Sequence, residues 1–488
     1  MSGQSIVDIV LPRRLWTQLR THLIRPSING RSTDEQLAFI LAAPNLTSFG
    51  VRLLGNRLLL AQPSDLAHQS PGGIGPTPEF VATALSKCRA EGWSLIEVHS
   101  HPFDRSSHTT FSGIDWANDQ SKMPSLAHVI PHHATMVMGQ RSLDAHYWSR
   151  DAANIIPARQ VVVVGADDTH QQPREQIATT TWLRHLDVRQ DYEPDSRFNR
   201  HLKLFGKSGQ GKLRETTVAI VGLGGLGSFL ALELAYLGIG GLVLVDHDVV
   251  DTTNLNRLIG SGPDDIGRRK VDVYAQIIRR AAPDCQVVAL GVPLIDAASD
   301  TALKGVDYIA GCVDNHGARL TLNHMALRYL IPLLDLGTGI HLSPGSRQSA
   351  QAGGQVQLVA PGSGCLECRS MIDPARAAFD LASPLEQQYE RDHGYGVEEP
   401  APSVIHLNGV VASVAAGELV RLIQGAADEN PSQLIMYDGS GMRLFRVESK
   451  GHEDCVTCGD EEAVGVGDLA PPRASSSSAM LRAQLQLE

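Results

Sequence analysis

The run VAIVGLGGLG at 218–227 constrains the fold more than any other stretch of the chain. A short β-branched strand meets a Gly-X-Gly-Gly-X-Gly turn, and SFLALELAYLG continues as a helix. Glycines there permit a tight turn and leave backbone N–H groups open at a helix N-terminus, where anions bind. LVLVDHD, VVALGVPL and YIAGCVDN follow as apolar strands separated by helical stretches. Strands alternating with helices predict a parallel, doubly wound α/β sheet running from about Ser196 to residue 460.

That unit leaves room for another domain, since 488 residues suffice for two or three. Residues 1–168 read as a separate mixed α/β unit. A helix candidate, IVDIVLPRRLWTQLRTHL, precedes the strand LAFILAAP; the helix PEFVATALSKCRAEG and the strands ATMVMG and QVVVVG come later. DDTHQQPREQ is polar and aperiodic and predicts a linker over 169–195, and the Gly-, Pro- and Ser-rich 461–488 predict a disordered tail. The formal charge of −11 argues against nucleic acid or an anionic membrane as partner. No apolar run reads as a bilayer span, and MSGQSIVDIVLPRR lacks the order of a secretory signal, so a cytoplasmic protein is expected. Of seven cysteines, four fall in two CxxC pairs, a pattern of metal binding in a reducing compartment.

In the first domain, Glu97-Val98-His99-Ser100-His101-Pro102 ends an apolar stretch. Residues i and i+2 of a strand share a face, which puts the imidazoles of His99 and His101 on one side. Ser112 and Asp115 are spaced as in the first turn of a helix. Two His and one carboxylate make a three-ligand zinc site with an open fourth position, the catalytic arrangement. Alternatively, the histidines are ordinary strand-end residues and Ser112 is a helix N-cap. The stretch resembles the JAB/JAMM metallopeptidases through His99, His101, Pro102, Ser112 and Asp115. The resemblance implies cleavage of peptide or isopeptide bonds after a ubiquitin-like C-terminus. It also implies that Ser112 helps hold the oxyanion and that a glutamate before an upstream strand is the general base. Glu35, ahead of LAFILAAP, is the choice over Glu91 and Glu97. Thirteen residues between His101 and Asp115 imply an enlarged loop, in which His108 is a competing ligand candidate.

The turn of Gly222, Gly224, Gly225 and Gly227 with Asp246 at the end of LVLVD would equally suit a dinucleotide enzyme, the acid binding ribose. Asn254, Arg257 and Lys270 beyond it narrow the reading. Cations aimed at a triphosphate serve nucleotidyl transfer, where charge develops on departing pyrophosphate. Asp314, ending YIAGCVDN, is placed to hold magnesium. These residues resemble the ubiquitin-activating-enzyme superfamily, the ThiF/MoeB-type adenylyltransferases. The resemblance implies ATP as substrate, ribose on Asp246, phosphates on Asn254, Arg257 and Lys270, and magnesium on Asp314. In RFNRHLKLFGKSGQGKL it implies that Arg200 reaches into the ATP site of a second subunit, hence a homodimer.

Cys365, Cys368, Cys455 and Cys458 predict one structural Cys-four zinc site, with a redox pair as the rival. Cys88, Cys285 and Cys312 read as small buried residues. The segment RSMIDPARAAFDLASPLEQQYERDHGYGVEEPAPSVI, where thioester-forming relatives of this superfamily hold their nucleophile, has no cysteine. The expectation is therefore a fusion of a JAB/JAMM domain with an adenylating domain, both addressing the tail of a ubiquitin-like or sulfur-carrier protein. A conjugating-enzyme-like acceptor in a bacterial conjugation system is the expected onward partner. A sulfur-transfer enzyme and a non-catalytic scaffold are the alternatives.

Overall fold

The computed structural model describes residues 6–25, 34–48, 50–149, 153–166, 174–179, 195–342, 350–392, 402–425, 434–447, 451–452, 454–459 and 463–470. The N-terminal half supplies β1 (Ile6–Pro12), β2 (Leu37–Thr47), β3 (Gly50–Leu60), β4 (Leu66–Ser70), β5 (Gly73–Pro76), β6 (Ser94–Ser100), β7 (His133–Met138), β8 (Leu143–Ser149), β9 (Asn154–Pro157), β10 (Gln160–Val164) and β11 (Arg174–Ala178). Its helices are α1 (Arg13–Leu23), α2 (Pro78–Glu91) and α3 (Gly113–Leu126). Among the described residues the main sheet has the order β11-β10-β1-β3-β2-β6-β7-β8-β9, and β4 and β5 form a separate hairpin.

Two expectations for this half are corrected. The first half of IVDIVLPRRLWTQLRTHL is strand β1, and α1 begins only after Pro12. Ile6, Val7, Ile9 and Val10 are β-branched and pack on both faces of the sheet, and Pro12 has the fixed φ that suits a helix entry. The expected linker also contains structure, because β11 lies at 174–178 and pairs antiparallel with β10. Residues 180–194 lie outside the described residues.

The C-terminal half supplies α4 (Leu202–Glu215), β12 (Thr217–Val221), α5 (Gly225–Leu237), β13 (Gly241–Val245), α6 (Lys270–Ala281), β14 (Gln286–Leu290), α7 (Ala297–Leu303), β15 (Tyr308–Gly311), α8 (His316–Arg328), β16 (Leu333–Leu342), β17 (Ala350–Val359), α9 (Pro374–Leu381), α10 (Pro384–Asp392), α11 (Ile405–Gln424), β18 (Leu434–Asp438) and β19 (Arg443–Val447). The sheet order is β14-β13-β12-β15-β16-β17-β18-β19, with the first five strands parallel and the rest antiparallel. The chain runs outward from β12 to β14 and then returns to the other side of β12 with β15. That reversal opens a crevice at the carboxyl ends of β12 and β15, where ligands of such sheets bind. Val218 and Ile220 face α5, α6 and α11, whereas Ala219 and Val221 face the opposite way.

That opposite face is shared with the N-terminal half. Leu37, Phe39 and Leu54 belong to the same buried cluster as Val221, Ile309 and Leu322. Among the described residues, one ionic pin crosses the seam. Asp307 accepts from Arg52 Nη2 at 3.2 Å, Arg174 Nη2 at 2.7 Å and the backbone N–H of Thr217 at 3.0 Å. Burial favours its protonation, but Arg174 and Arg52 outweigh that and hold its pKa below the ordinary carboxylate value. Asp307→Asn removes the carboxylate that two buried guanidinium groups share, a loss of about 3–5 kcal/mol, read as a lower midpoint in urea unfolding. Because the folded pKa is depressed, this stabilisation is present above the unfolded pKa and is lost as pH falls through the folded one.

The expected disordered tail is corrected for 463–470. Val464 and Val466 are buried in the seam, Asn56 Nδ2 donates to Val464 O at 2.8 Å, and Arg328 Nη2 donates to Gly467 O at 2.6 Å. Asp468 accepts from Lys304 at 2.8 Å. Two valines spaced by two suffice to close an apolar seam, a contact invisible in a Gly- and Pro-rich composition; 471–488 lie outside the described residues. A fourth correction concerns α11, which is long and apolar enough to cross a membrane by length and composition. Its Leu407, Val411, Ala415 and Leu419 are buried against α5 and the second sheet.

Candidate functional sites

The first site lies where β6 ends. Hydrogen bonds between Ser100 N and Gln36 O and between Gln36 N and Ser100 Oγ tie the segment before β2 to the end of β6. They bring buried Glu35 to 4.0 Å from Nε2 of His101. Asp115 sits on the first turn of α3, with Oδ1 3.4 Å from His99 Nε2 and Oδ2 3.5 Å from His101 Nε2. The three ligand atoms lie within 4.8 Å of one another. Nε2 of His99 is buried and has no hydrogen-bond partner. An orphaned imidazole nitrogen facing a second imidazole and a carboxylate fits a zinc-type ligand set.

Burial pushes the Glu35 pKa up, although both imidazoles oppose the shift. Burial would also raise Asp115, but the neighbouring imidazoles of His101 and His99, with Ser112, outweigh it and hold that carboxyl far below its ordinary range. Ser112 is the N-cap of α3: its Oγ accepts from Asp115 N at 3.2 Å, and Ser112 N donates to Asp115 Oδ2 at 2.7 Å. The capping reading of Ser112 therefore holds, and it places the hydroxyl beside the ligand Asp115. His108 is exposed and bonded to Ser107, and it takes no part in the cluster. Sequence reasoning missed the aromatic packing here. Phe111 stacks on His146 at 4.0 Å, and Trp116 lies over the same ring at 4.3 Å.

The second site is the crevice at β12. Gly222 has φ +89°, and a Cβ there would lie 2.6 Å from Cys312 O; one on Gly227 would lie 1.9 Å from Gly222 O. These two glycines are required by the turn itself. A Cβ on Gly224 would meet nothing within 4 Å, so the turn faces open space at the N-terminus of α5. Asp246 is buried, accepting from Leu223 N at 2.6 Å and Asp248 N at 2.8 Å. Its pKa is raised by burial, with Lys270 and the backbone donors acting against the shift. Lys270, buried at the start of α6, donates to Asp248 Oδ2 at 2.7 Å. Asn254 caps a short turn by accepting from Asp251 N, and Arg257 donates to Thr253 O at 2.7 Å.

Asp314 is exposed just past β15, two residues beyond the Cys312 carbonyl on which Gly222 rests. Among the described residues it makes no ion pair with Arg257 or Lys270. Arg200 is exposed on the turn that precedes α4. The loops after β12, β13 and β15 thus share one sheet end.

The four CxxC cysteines converge. Sγ of Cys365 is 3.7 Å from Sγ of Cys455, and Sγ of Cys368 is 3.8 Å from Sγ of Cys458. Disulfides need about 2.05 Å, whereas sulfurs at the corners of a zinc tetrahedron with ~2.3 Å bonds stand about 3.8 Å apart. The donor set fits zinc. Glu367, between the first two cysteines, accepts from His324, Asn323 and Thr457 and so fastens the knuckles to α8. The other three thiols are buried. Burial raises Cys88 to about 12 and Cys285 to about 11, and Cys312 higher still.

The ThiF family matches residues 198–457. The sulfur carrier protein ThiS adenylyltransferase of Escherichia coli (strain K12) is 30% identical over 273 residues, covering 55% of this chain and 96% of that protein. The SAMP-activating enzyme E1 of Haloferax volcanii is 28% identical over 276 residues, covering 56% of this chain and 92% of its own length. The molybdopterin-synthase adenylyltransferase of Escherichia coli (strain K12) is 27% identical over 267 residues, covering 54% of this chain and 96% of that protein. With over half of its residues matched, from the turn before α4 to the second cysteine knuckle, the chain belongs to the ThiF family.

Proposed function

We propose that this chain adenylates the C-terminal carboxylate of a small ubiquitin-like or sulfur-carrier protein, and that its N-terminal domain is a zinc peptidase for the same kind of tail. The adenylation reading is carried by the crevice. An open glycine turn at a helix N-terminus, a buried ribose-type acid and the cations Lys270 and Arg257 share the carboxyl end of one parallel sheet. The relatives named for ThiS and for SAMP support the substrate class.

In the reaction, a carboxylate oxygen of the carrier attacks the α-phosphorus of ATP and pyrophosphate leaves. Backbone N–H groups of Gly224–Gly227 and the side chains of Asn254, Arg257 and Lys270 hold the phosphates, and Asp246 orients the ribose. Magnesium, held by Asp314, would offset triphosphate charge. Carrier-dependent ATP–pyrophosphate exchange tests the reading; its absence with every carrier encoded beside this chain would overturn it. No spare cysteine is a poised thiolate, so the adenylate passes directly to a partner nucleophile. The sulfur-carrier relatives favour a second outcome, a thiocarboxylate. Mass spectrometry of the carrier's C-terminus separates a 16 Da gain, about one oxygen-to-sulfur exchange, from conjugation.

The peptidase reading is carried by the unpartnered Nε2 of buried His99 facing His101 and Asp115. Zinc bound there would lower the pKa of a water. Glu35, 4.0 Å from His101, would take that water's proton, and the Ser112 hydroxyl would donate to the oxyanion. Glu35→Gln is expected to keep zinc and lower cleavage of a carrier-tail fusion by about 100- to 10,000-fold. His99→Ala should lose one of two zincs. A single zinc that persists in His99→Ala sinks this assignment.

For Arg200, we expect function across a dimer. Arg200→Ala and Asp314→Ala chains, each inactive in exchange, regain part of it when mixed, because one site of the hybrid keeps both groups. Lack of any recovery would point to a monomer or another arginine.

A further inference from the structure

The metal ligand Asp115 lies on α3, whereas His99 and His101 lie on and just past β6, so the site depends on where that helix rests. Three neighbouring strands present one residue each to it. Glu97 on β6 is the direct cross-strand partner of Thr135 on β7, which in turn is paired with His146 on β8. Each meets a different residue of α3. Lys122 Nζ lies 2.7 Å from Glu97 Oε1, Thr135 Oγ1 donates to Asp119 Oδ2 at 2.6 Å, and Trp116 packs on His146. Lys122 also lies 3.2 Å from Asp119 Oδ1, which closes the row into one network.

The spacing makes this row a ruler. Glu97 and His99 share a strand face, and Asp115, Asp119 and Lys122 share a helix face one turn apart. A helix held by Lys122 on Glu97 and by Asp119 on Thr135 has no freedom to slide. Its first turn then falls over His99. Trp116 and Phe111, clasping His146 from two sides, fix the rotation of that turn.

We propose that Glu97, Thr135 and His146, with Lys122, Asp119 and Trp116 across from them, are the positioning residues of the metal site, setting the Asp115 carboxylate against the two imidazoles. This rests on the zinc reading of that site. Polar groups buried beneath a helix cost stability unless satisfied, and an apolar set of the same size would hold the helix without fixing its register. The polar row therefore serves register.

The test uses full-length protein equilibrated at fixed free zinc, with occupancy counted per chain and melting recorded in parallel. Lys122→Met and Thr135→Val should weaken the His99 site by about 10- to 100-fold, leave the Cys-four zinc in place, and Lys122→Arg should restore most of the affinity. Val161→Ala, a buried change in β10 remote from α3, is the control for general loosening and should leave zinc affinity unchanged. If the parent chain binds zinc at the cysteines alone, the zinc reading falls and this proposal with it. If the parent binds two zincs but the row variants keep its affinity, the positioning role alone is overturned. Equal weakening in Val161→Ala would overturn it too.

Discussion

Replacing Cys365 by serine is expected to halve the zinc content and to lower the melting temperature by roughly 10 °C or more. The size follows from the position of the site. Cys365 is fully buried, and its partners Cys455 and Cys458 lie just before the segment that inserts Val464 and Val466 into the seam. Structural zinc sites contribute on the order of 10 kcal/mol of apparent binding energy to folding, and here that energy also anchors the segment. Hydrogen exchange should therefore rise at 463–470 as well as at the knuckles. Unchanged metal content with an unchanged melt would show that the four thiols hold no structural ion.

Asp314→Ala should reduce carrier-dependent ATP–pyrophosphate exchange by about a thousandfold while leaving the tail cleavage proposed for the Glu35 site unaffected. Groups that compensate charge developing in a transition state are worth about 100- to 1000-fold each. Loss of a magnesium ligand removes more than one side chain's contribution, because the ion goes with it. Asp314 is exposed and makes no ion pair among the described residues, so the substitution costs little stability, and a circular-dichroism melt should match the parent's. Exchange at the parental rate would remove Asp314 from the phosphate machinery.

The parallel sheet was legible because its signals are local. Ala219–Val221 and Leu242–Val245 are continuous apolar runs, and the Gly222–Gly227 turn admits few conformations. The clustering of His99, His101 and Asp115 was legible for the same reason, since the two histidines obey strand alternation and Ser112 and Asp115 form one capping box. What the sequence hid is non-local. Ile6–Pro12 reads as a helix until β3 and β10 are known to flank it. Arg174 sits in a polar stretch, yet its partner Asp307 is on the edge of a strand in the other half of the chain. Lys122 and Asp119 look like solvated helix charges, and only the sheet beneath α3 shows that they are engaged. The apolar length of α11 gives no clue that it is a core helix.

The insertion of Val464 and Val466 has a bearing on how the protein is made. Ala43 and Leu54 lie against the segment at 465–467, which is translated roughly 400 residues after them. At roughly 5–20 residues per second, the N-terminal half waits tens of seconds with part of this apolar flank uncovered. During that interval the flank is a target for chaperones and for the nascent chains of neighbouring ribosomes. Translation past Cys458 supplies both the last two thiols and the valines that follow, so completion of the cysteine cluster and closure of the flank arrive together. A message truncated upstream of Cys455 would therefore yield a product whose first half is fully translated and still adhesive.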